Sequence, residues 1–516
     1  MLNLSVILDD SARRYANKEA IIFGDTRLTF GQLNVAANQV ANGLKNIGIE
    51  RGDKVALSCL NLPYFPMVYF GILKTGATVV PLSVLLKRDE VAYHLQDSDA
   101  KAYFCFEGNA ALPMGTEGFA GFEEVATCQH FFTITANPAA ASPFEATKTL
   151  GQVMYGQSTT FETAATSAED TAVIIYTSGT TGRPKGAELT HSNVVLNTNL
   201  CRLLFEYKPD DVTITVLPMF HVFGQVCVMN ASLLQGITNV LLARFDAGDV
   251  LRIMQKENVS VFAGVPTMYW ALLNYEDTEG EIDMKRLKER LRLCASGGAS
   301  LPVQVLRDFE AKFEVPIYEG FGMSEGSPVV TFNQPGMVRK PGSIGTPVWG
   351  VEVIIADEND QPLPVGERGQ ILYRGHNVMK GYYKKPEANA ETLKGGWLHS
   401  GDVGVMDEDG YFYIVDRTKD MIIRGGLNVY PREVEEVIIK HEAVSLVAVI
   451  GVPHDKYGEE IKACVVLNEG ASVTAEELQE FAKANIAAYK YPRIVEFLDT
   501  LPMSATGKIL KRELRK

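Results

Sequence analysis

At 516 residues the chain has room for roughly three structural units, and its net charge of −14 argues against a nucleic-acid surface, because phosphate contacts need clustered Lys and Arg. Seven cysteines, an odd number with no C-x-x-C pair, exclude a disulfide framework and point to a reducing compartment with free, buried thiols. Residues 1–10 carry no basic leader and close on Asp9 and Asp10, so a signal peptide is not expected and the location expected is cytoplasmic.

In chain order, a short hairpin is predicted around Gly24 and Asp25, then an amphipathic helix with Leu33, Ala37, Val40, Leu44 and Ile47 on one face. A strand at 55–57, a helix at 64–74, a strand at 78–81 and a further strand ending near 106 alternate as in a parallel α/β layer. Residues 137–170, rich in Ala, Ser, Thr and Gly, read as a long surface excursion. The β-branched run Val173, Ile174, Ile175 then forms a buried strand that delivers YTSGTTGRPKG at 176–186. Glycines that let the backbone approach an oxyanion, hydroxyl donors and one lysine make this a phosphate-handling loop. It is not a Walker loop, since Pro184 stands where that pattern needs its second glycine.

The α/β alternation resumes with a helix from Ser192 and strands at 213–217, 259–263 and 291–295. The uncharged stretch 212–243 is interrupted by Pro218, His221, Asn230 and Gly236, so it reads as strand, helix and strand, not as an integral membrane span. From about 330 to 416, short alternating segments between Gly, Pro and Asp turns predict a small antiparallel barrel. The last hundred residues, with strands at 444–452 and 463–467 and a helix from Ala475, predict a small α+β domain.

Four further motifs accompany the loop: LPMFHVFG at 217–224, YEGFGMSE at 318–325, HSGDVG with DRTKDMIIRGGLNVYP within 399–431, and PMSATGKILKREL at 502–514. In order and spacing the five resemble those of the adenylate-forming enzymes, which include acyl-CoA synthetases, 4-coumarate-type ligases, luciferases and peptide-synthetase adenylation domains. The resemblance implies an α/β fold with a large N-terminal domain, 1–416, of two α/β layers plus a small β-barrel at about 330–416. A mobile small α+β C-terminal domain, 417–516, would act as a lid hinged at Lys419.

It also implies an acid–thiol ligase that makes an acyl-AMP and then a thioester, with ATP and CoA as co-substrates, Mg²⁺ as cofactor and a small-molecule carboxylic acid as the third partner; a homodimer is left open. Thr177, Ser178, Gly179, Thr180, Thr181, Gly182 and Lys185 would hold the phosphates. Glu325, beside Ser324, would hold Mg²⁺ with Thr177 as its hydroxyl partner. Glu319, Gly320, Phe321 and Gly322 would line the adenine, Gly298 and Ala299 would also contact the nucleotide, and Asp402 and Arg417 would grip the ribose. Lys508 would bridge the carboxylate and the α-phosphate in the adenylation transition state, and Gly425 and Gly426 would open the channel for the CoA thiol.

The resemblance makes His221 the histidine that closes on the acyl carboxylate, with Val222, Phe223, Val226, Gly264, Val265, Pro266, Gly297, Gly298 and Met323 along the acyl pocket. These segments hold no Lys, Arg, Asp or Glu. An amino-acid substrate would want a buried acid and a dicarboxylate an arginine, so a neutral apolar acid fits, a medium- or long-chain fatty acid first. An aromatic acid is the close alternative, because Phe223 stacks on a ring as readily as it borders a chain. A ligase that loads a carrier protein and an inactive nucleotide-binding scaffold are the remaining readings.

Overall fold

The computed structural model describes residues 2–177, 183–417, 420–425, 427–454 and 456–515. Two large sheets form the bulk of the chain. The eight-stranded sheet runs, by strand, Gly381–Tyr382, Lys185–Thr190, Thr171–Thr177, Thr78–Pro81, Lys54–Ser58, Ala100–Phe106, His130–Ile134 and Lys148–Thr149. Its central strands pair in parallel, as the strand–helix alternation requires. The nine-stranded sheet collects Thr26–Thr29, Glu19–Phe23, Thr238–Leu241, Val212–Thr215, Val261–Gly264, Leu293–Ser296, Ile317–Gly322, Val329–Phe332 and Thr346–Pro347.

Local signals account for most of these elements. The hairpin turns at Gly24, whose φ is +58°, and Thr29 caps the helix Phe30–Asn46 by accepting from the Gln32 N–H. The helix Tyr64–Lys74 and the strand Thr78–Pro81 fall where the apolar pattern puts them. Val173, Ile174 and Ile175 are fully or almost fully buried, and at about 1.5–3 kcal/mol each they fix the strand that enters the phosphate loop. All seven cysteines are free and buried.

Residues 137–170 are more organised than an excursion. They contain the strand Lys148–Thr149 and the helix Leu150–Met154, and the chain after them is bonded to one face of Phe30–Asn46. Asn38, Asn42 and Asn46, one helical turn apart, donate to the Thr159 carbonyl, the Ser158 and Thr160 carbonyls, and the Gln157 side chain. Polar side chains on a helix face supply partners that apolar periodicity does not reveal.

The stretch 212–243 forms strand, helix and strand as expected, but its helix begins as a π-helix, Phe223–Asn230, and continues as Ala231–Gln235. Among the described residues no helix is long and apolar enough to cross a membrane. Within 330–416, the strands Val329–Phe332 and Thr346–Pro347 belong to the nine-stranded sheet, because the chain folds straight back on Ile317–Gly322. The antiparallel unit itself consists of Val351–Ala356, Gly369–Gly375, Leu398–Met406 and Phe412–Arg417. The C-terminal part is a five-stranded sheet with its own core, built on Val434, Ile438, Val449, Ile461, Ala463 and Leu478. Its strand Ile494–Phe497, parallel to Gly458–Leu467, carries no burial alternation that would mark it in sequence.

Candidate active site

The phosphate loop leaves one strand and returns on its neighbour: Thr171–Thr177 and Lys185–Thr190 are antiparallel, with Thr177 opposite Lys185. Ser178, Gly179, Thr180, Thr181 and Gly182 lie outside the described residues, as do Lys419 and Gly426. The return limb is held from two sides. From the helix Arg88–Asp97, the Tyr93 hydroxyl donates to the Pro184 carbonyl at 2.7 Å, and the Arg183 guanidinium lies over the Tyr93 ring at 5.2 Å. On the other side the Lys185 ammonium stands 4.9 Å from the centre of the Tyr382 ring. The Tyr382 hydroxyl donates to Glu325 Oε1 at 2.7 Å. Thus Lys185 and Glu325, far apart in sequence, meet on one tyrosine.

The nucleotide side is built on the strand Ile317–Gly322, where Ile317, Glu319 and Phe321 are buried and alternate with the more open Tyr318, Gly320 and Gly322. A Cβ on Gly320 would stand 2.4 Å from the Phe332 ring, and one on Gly322 would stand 2.2 Å from the Pro328 carbonyl oxygen. These glycines therefore serve the close return of the chain itself. Glu319 is 2% exposed, and its side chain turns to the Leu301 amide, which donates to Oε1 at 3.0 Å. Its second oxygen has no hydrogen-bond partner among the described residues. Burial pushes this carboxyl up to about 7, against the pull of Arg432 from the C-terminal domain. Next in the motif, Ser324 opens the short helical turn Ser324–Gly326, in which Glu325 is buried.

Asp402, also buried, is paired in backbone register with Arg417 across two antiparallel strands. Its N–H donates to Ser400 Oγ at 3.0 Å, and Ser400 Oγ donates to the Ile371 carbonyl at 2.7 Å. Buried Tyr373 feels the charges of both Glu325 and Asp402, so the carboxylates expected at the metal and at the ribose share one site.

The C-terminal domain delivers Lys508 to Gly298 and His221. A tight turn, with the Ser504 N–H donating to the Lys508 carbonyl at 2.8 Å, presents the lysine. Thr267 Oγ1 donates to the Gly507 carbonyl at 2.9 Å and ties the turn to the N-terminal domain. Lys508 Cε lies 3.3 Å from the point where a Cβ on Gly298 would be, and Val265 Cγ1 lies 3.5 Å from it. Gly298 has φ of +82°, a left-handed conformation that suits glycine. Ala299 beside it is exposed.

His221 is half-buried, and its Nδ1 accepts from the Phe223 N–H at 3.3 Å. Burial, then the charge of Lys508, pushes its pKa down to about 3, so the imidazole is neutral at pH 7. The Phe223 ring comes within 3.4 Å of the Cβ position on Gly297. Gly264 and Gly297 meet through the Gly297 N–H and the Gly264 carbonyl, Pro266 starts the helix Pro266–Leu273, and partly buried Met323 joins the core that Phe223 touches. Val222 and Val226 pack instead into the core of the first α/β unit. The expected acyl-pocket residues therefore stand along the seam between the two units.

Gly425 is elsewhere. It sits at the turn between Ile422–Arg424 and Leu427–Val429, and its N–H donates to the Tyr457 carbonyl at 2.8 Å. The flanking Ile423 and Leu427 are about half exposed. Sequence reasoning missed Tyr382, Tyr93, Tyr373 and Thr267, each of which earns its place only through sheet pairing or domain contact. The π-helix Phe223–Asn230 that follows His221, a form that recurs at functional sites, had no sign in the sequence.

The profile of the AMP-binding enzyme family matches residues 8–383, and that of the AMP-binding enzyme C-terminal domain matches residues 433–508. A long-chain-fatty-acid–CoA ligase of Bacillus subtilis (strain 168) is 38% identical, over 99% of this chain and 94% of that protein. A feruloyl-CoA synthase of Amycolatopsis sp is 36% identical, over 98% of this chain and 97% of its own length. Among solved structures, an anthranilate CoA ligase, AuaEII, in complex with anthranoyl-AMP superposes with a TM-score of 0.91 at 32% identity, over 99% of this chain and 96% of that one.

Proposed function

Since this chain belongs to the AMP-binding enzyme family and is an ATP-dependent acyl- or aryl-CoA ligase, we propose that the acid it activates is neutral and apolar, a medium- or long-chain fatty acid first. The observation that carries this reading is the lining of the seam, where Phe223, Val265, Pro266, Gly297 and Met323 stand with neutral His221 and none carries a charge. Among the described residues the charge acting on His221 is that of Lys508, which answers the carboxylate being activated. An ammonium or a second carboxylate elsewhere on the substrate would lie along these uncharged side chains without a counter-charge.

In the first half-reaction a carboxylate oxygen attacks the α-phosphorus of ATP, and the bond to the β-phosphate oxygen breaks, releasing pyrophosphate. Lys508 answers the charge that grows on the carboxylate and α-phosphate oxygens, neutral His221 offers a hydrogen bond without competing for a proton, and Lys185 holds the outer phosphates. Asp402 and Arg417 take the ribose, and the segment 319–322 takes the base. When bound, Mg²⁺ would neutralise and orient the phosphate oxygens. Glu325 with Thr177 suits it, since Mg²⁺ takes one or two carboxylates and draws its remaining ligands from phosphate and water. In the second half-reaction the CoA sulfur attacks the acyl carbon, the bond to AMP breaks, and the thiol proton passes to solvent. Lys419 is the hinge for the rotation that brings Gly425 and Gly426 to the nucleotide in place of Lys508.

An aryl acid is the second reading, favoured by the Phe223 ring beside Gly297 and by the feruloyl and anthranilate relatives. Comparing kcat/KM for straight-chain acids of graded length with that for benzoate- and cinnamate-type acids decides between them. A rise with chain length supports the fatty-acid reading, and a preference for any ring acid over every chain replaces it.

A further inference from the structure

Lys185 and Glu325 are an opposite-charged pair on adjoining elements, yet they form no ion pair with each other among the described contacts. Tyr382 stands between them, ring face to the ammonium at 4.9 Å and hydroxyl to the carboxylate at 2.7 Å. Its own position is set by backbone. The two-residue strand Gly381–Tyr382 pairs with Lys185–Thr190, with Tyr382 opposite Ala187, and the Tyr383 N–H donates to the Gly186 carbonyl at 2.8 Å. Glu325 is tied to the same segment, since its carbonyl accepts from the Met379 N–H at 2.9 Å. The Asn389 carboxamide fixes the strand from behind, accepting from the Tyr382 N–H at 2.6 Å.

We propose that Tyr382 is a positioning residue that keeps the phosphate lysine and the metal carboxylate apart and ready, so that both charges are available to Mg²⁺–ATP when it arrives. A neutral donor orients the carboxylate without cancelling its charge, and a π face steadies the ammonium without an anion. In its absence the two charges would be free to close on each other, and the nucleotide would have to break that pair before binding. This rests on the reading of Lys185 and Glu325 given above.

The test is Tyr382→Phe, which keeps the ring and removes the donor, beside Tyr382→Leu, which removes both. ATP affinity is measured by calorimetry with and without Mg²⁺, together with the Mg²⁺ concentration for half-maximal pyrophosphate release. Tyr382→Phe is expected to raise that concentration about tenfold or more and to weaken Mg²⁺–ATP while sparing metal-free ATP. Tyr382→Leu is expected to weaken metal-free ATP as well. In a Glu325→Gln background, Tyr382→Phe is expected to add nothing to the Mg²⁺ effect. An unchanged Mg²⁺ dependence, an equal loss with and without Mg²⁺, or a full effect in the Glu325→Gln background would each overturn the proposal. Pyrophosphate release by the unaltered protein is the control that separates this outcome from failure of the ligase reading. If a Tyr382 variant unfolds, Glu325→Gln alone still decides: Mg²⁺ must then cease to strengthen ATP binding, and a persistent Mg²⁺ effect overturns the proposal.

Discussion

Replacing Lys508 by alanine removes a charge that acts on His221 and leaves its backbone turn in place. The loss can be sized from the geometry. The Lys508 side chain lies beside Gly298, and burial together with the Lys508 charge holds His221 neutral. A unit charge about 4 Å from an oxyanion, at an effective dielectric of about 20, is worth about 4 kcal/mol. Loss of one such donor lowers the rate of the step it serves by about 10²–10³-fold. Pyrophosphate release in a single turnover reports the adenylation half, and thioester formation from supplied acyl-AMP and CoA reports the other. Lys508→Ala is expected to lose about 10²-fold or more in the first and far less in the second. His221, titrated by NMR in the same variant, is expected to move upward but to stay below its ordinary value, since burial remains. Equal losses in the two halves, or an unmoved His221, would refute the placement of Lys508.

Two other perturbations follow from the same site. Gly298→Ala puts a Cβ at 3.3 Å from Lys508 Cε on a backbone with φ of +82°, so adenylation is expected to fall about tenfold, with a stability cost of about 1–2 kcal/mol; pyrophosphate release and urea unfolding measure the two, and an unchanged rate would show that Lys508 has room to move. Glu319 titrates at about 7 folded against an ordinary 4.5. The folded state therefore holds the extra proton between those values, and stability falls as pH rises through that window, by about 3 kcal/mol in all. Glu319→Gln does not titrate, so its stability relative to the unaltered chain is expected to improve by that amount between pH 4.5 and pH 8. Parallel unfolding curves at both pH values would contradict the buried, half-partnered carboxyl.

What the sequence disclosed was local. The turn at Gly24, the helix Tyr64–Lys74 and the strand Thr78–Pro81 follow from glycine conformation and apolar periodicity. The motif residues were legible because the chemistry calls for those residue types, and the fold gathers Lys185, Glu325 and Asp402 around Tyr382 and Tyr373 and sets Lys508 beside His221. What stayed hidden depends on distant pairing. Tyr382 reaches the site only because a two-residue strand adds to the edge of the loop's return limb. The π-helix after His221 has a period that no apolar pattern announced, and Val222 and Val226 turn to a different core from Phe223. Strand alternation buries the Glu319 side chain against the Leu301 amide, a placement that the motif alone did not disclose.

The most direct test of a two-step ligase is pyrophosphate release with ATP and Mg²⁺ on an apolar acid, with and without CoA. The account predicts release limited to about one equivalent without CoA and continuous turnover, with thioester formed in step, once CoA is added. Release that stops at one equivalent despite CoA would assign the acyl group to another acceptor, such as a carrier protein. No release with any fatty or aryl acid would contradict the account.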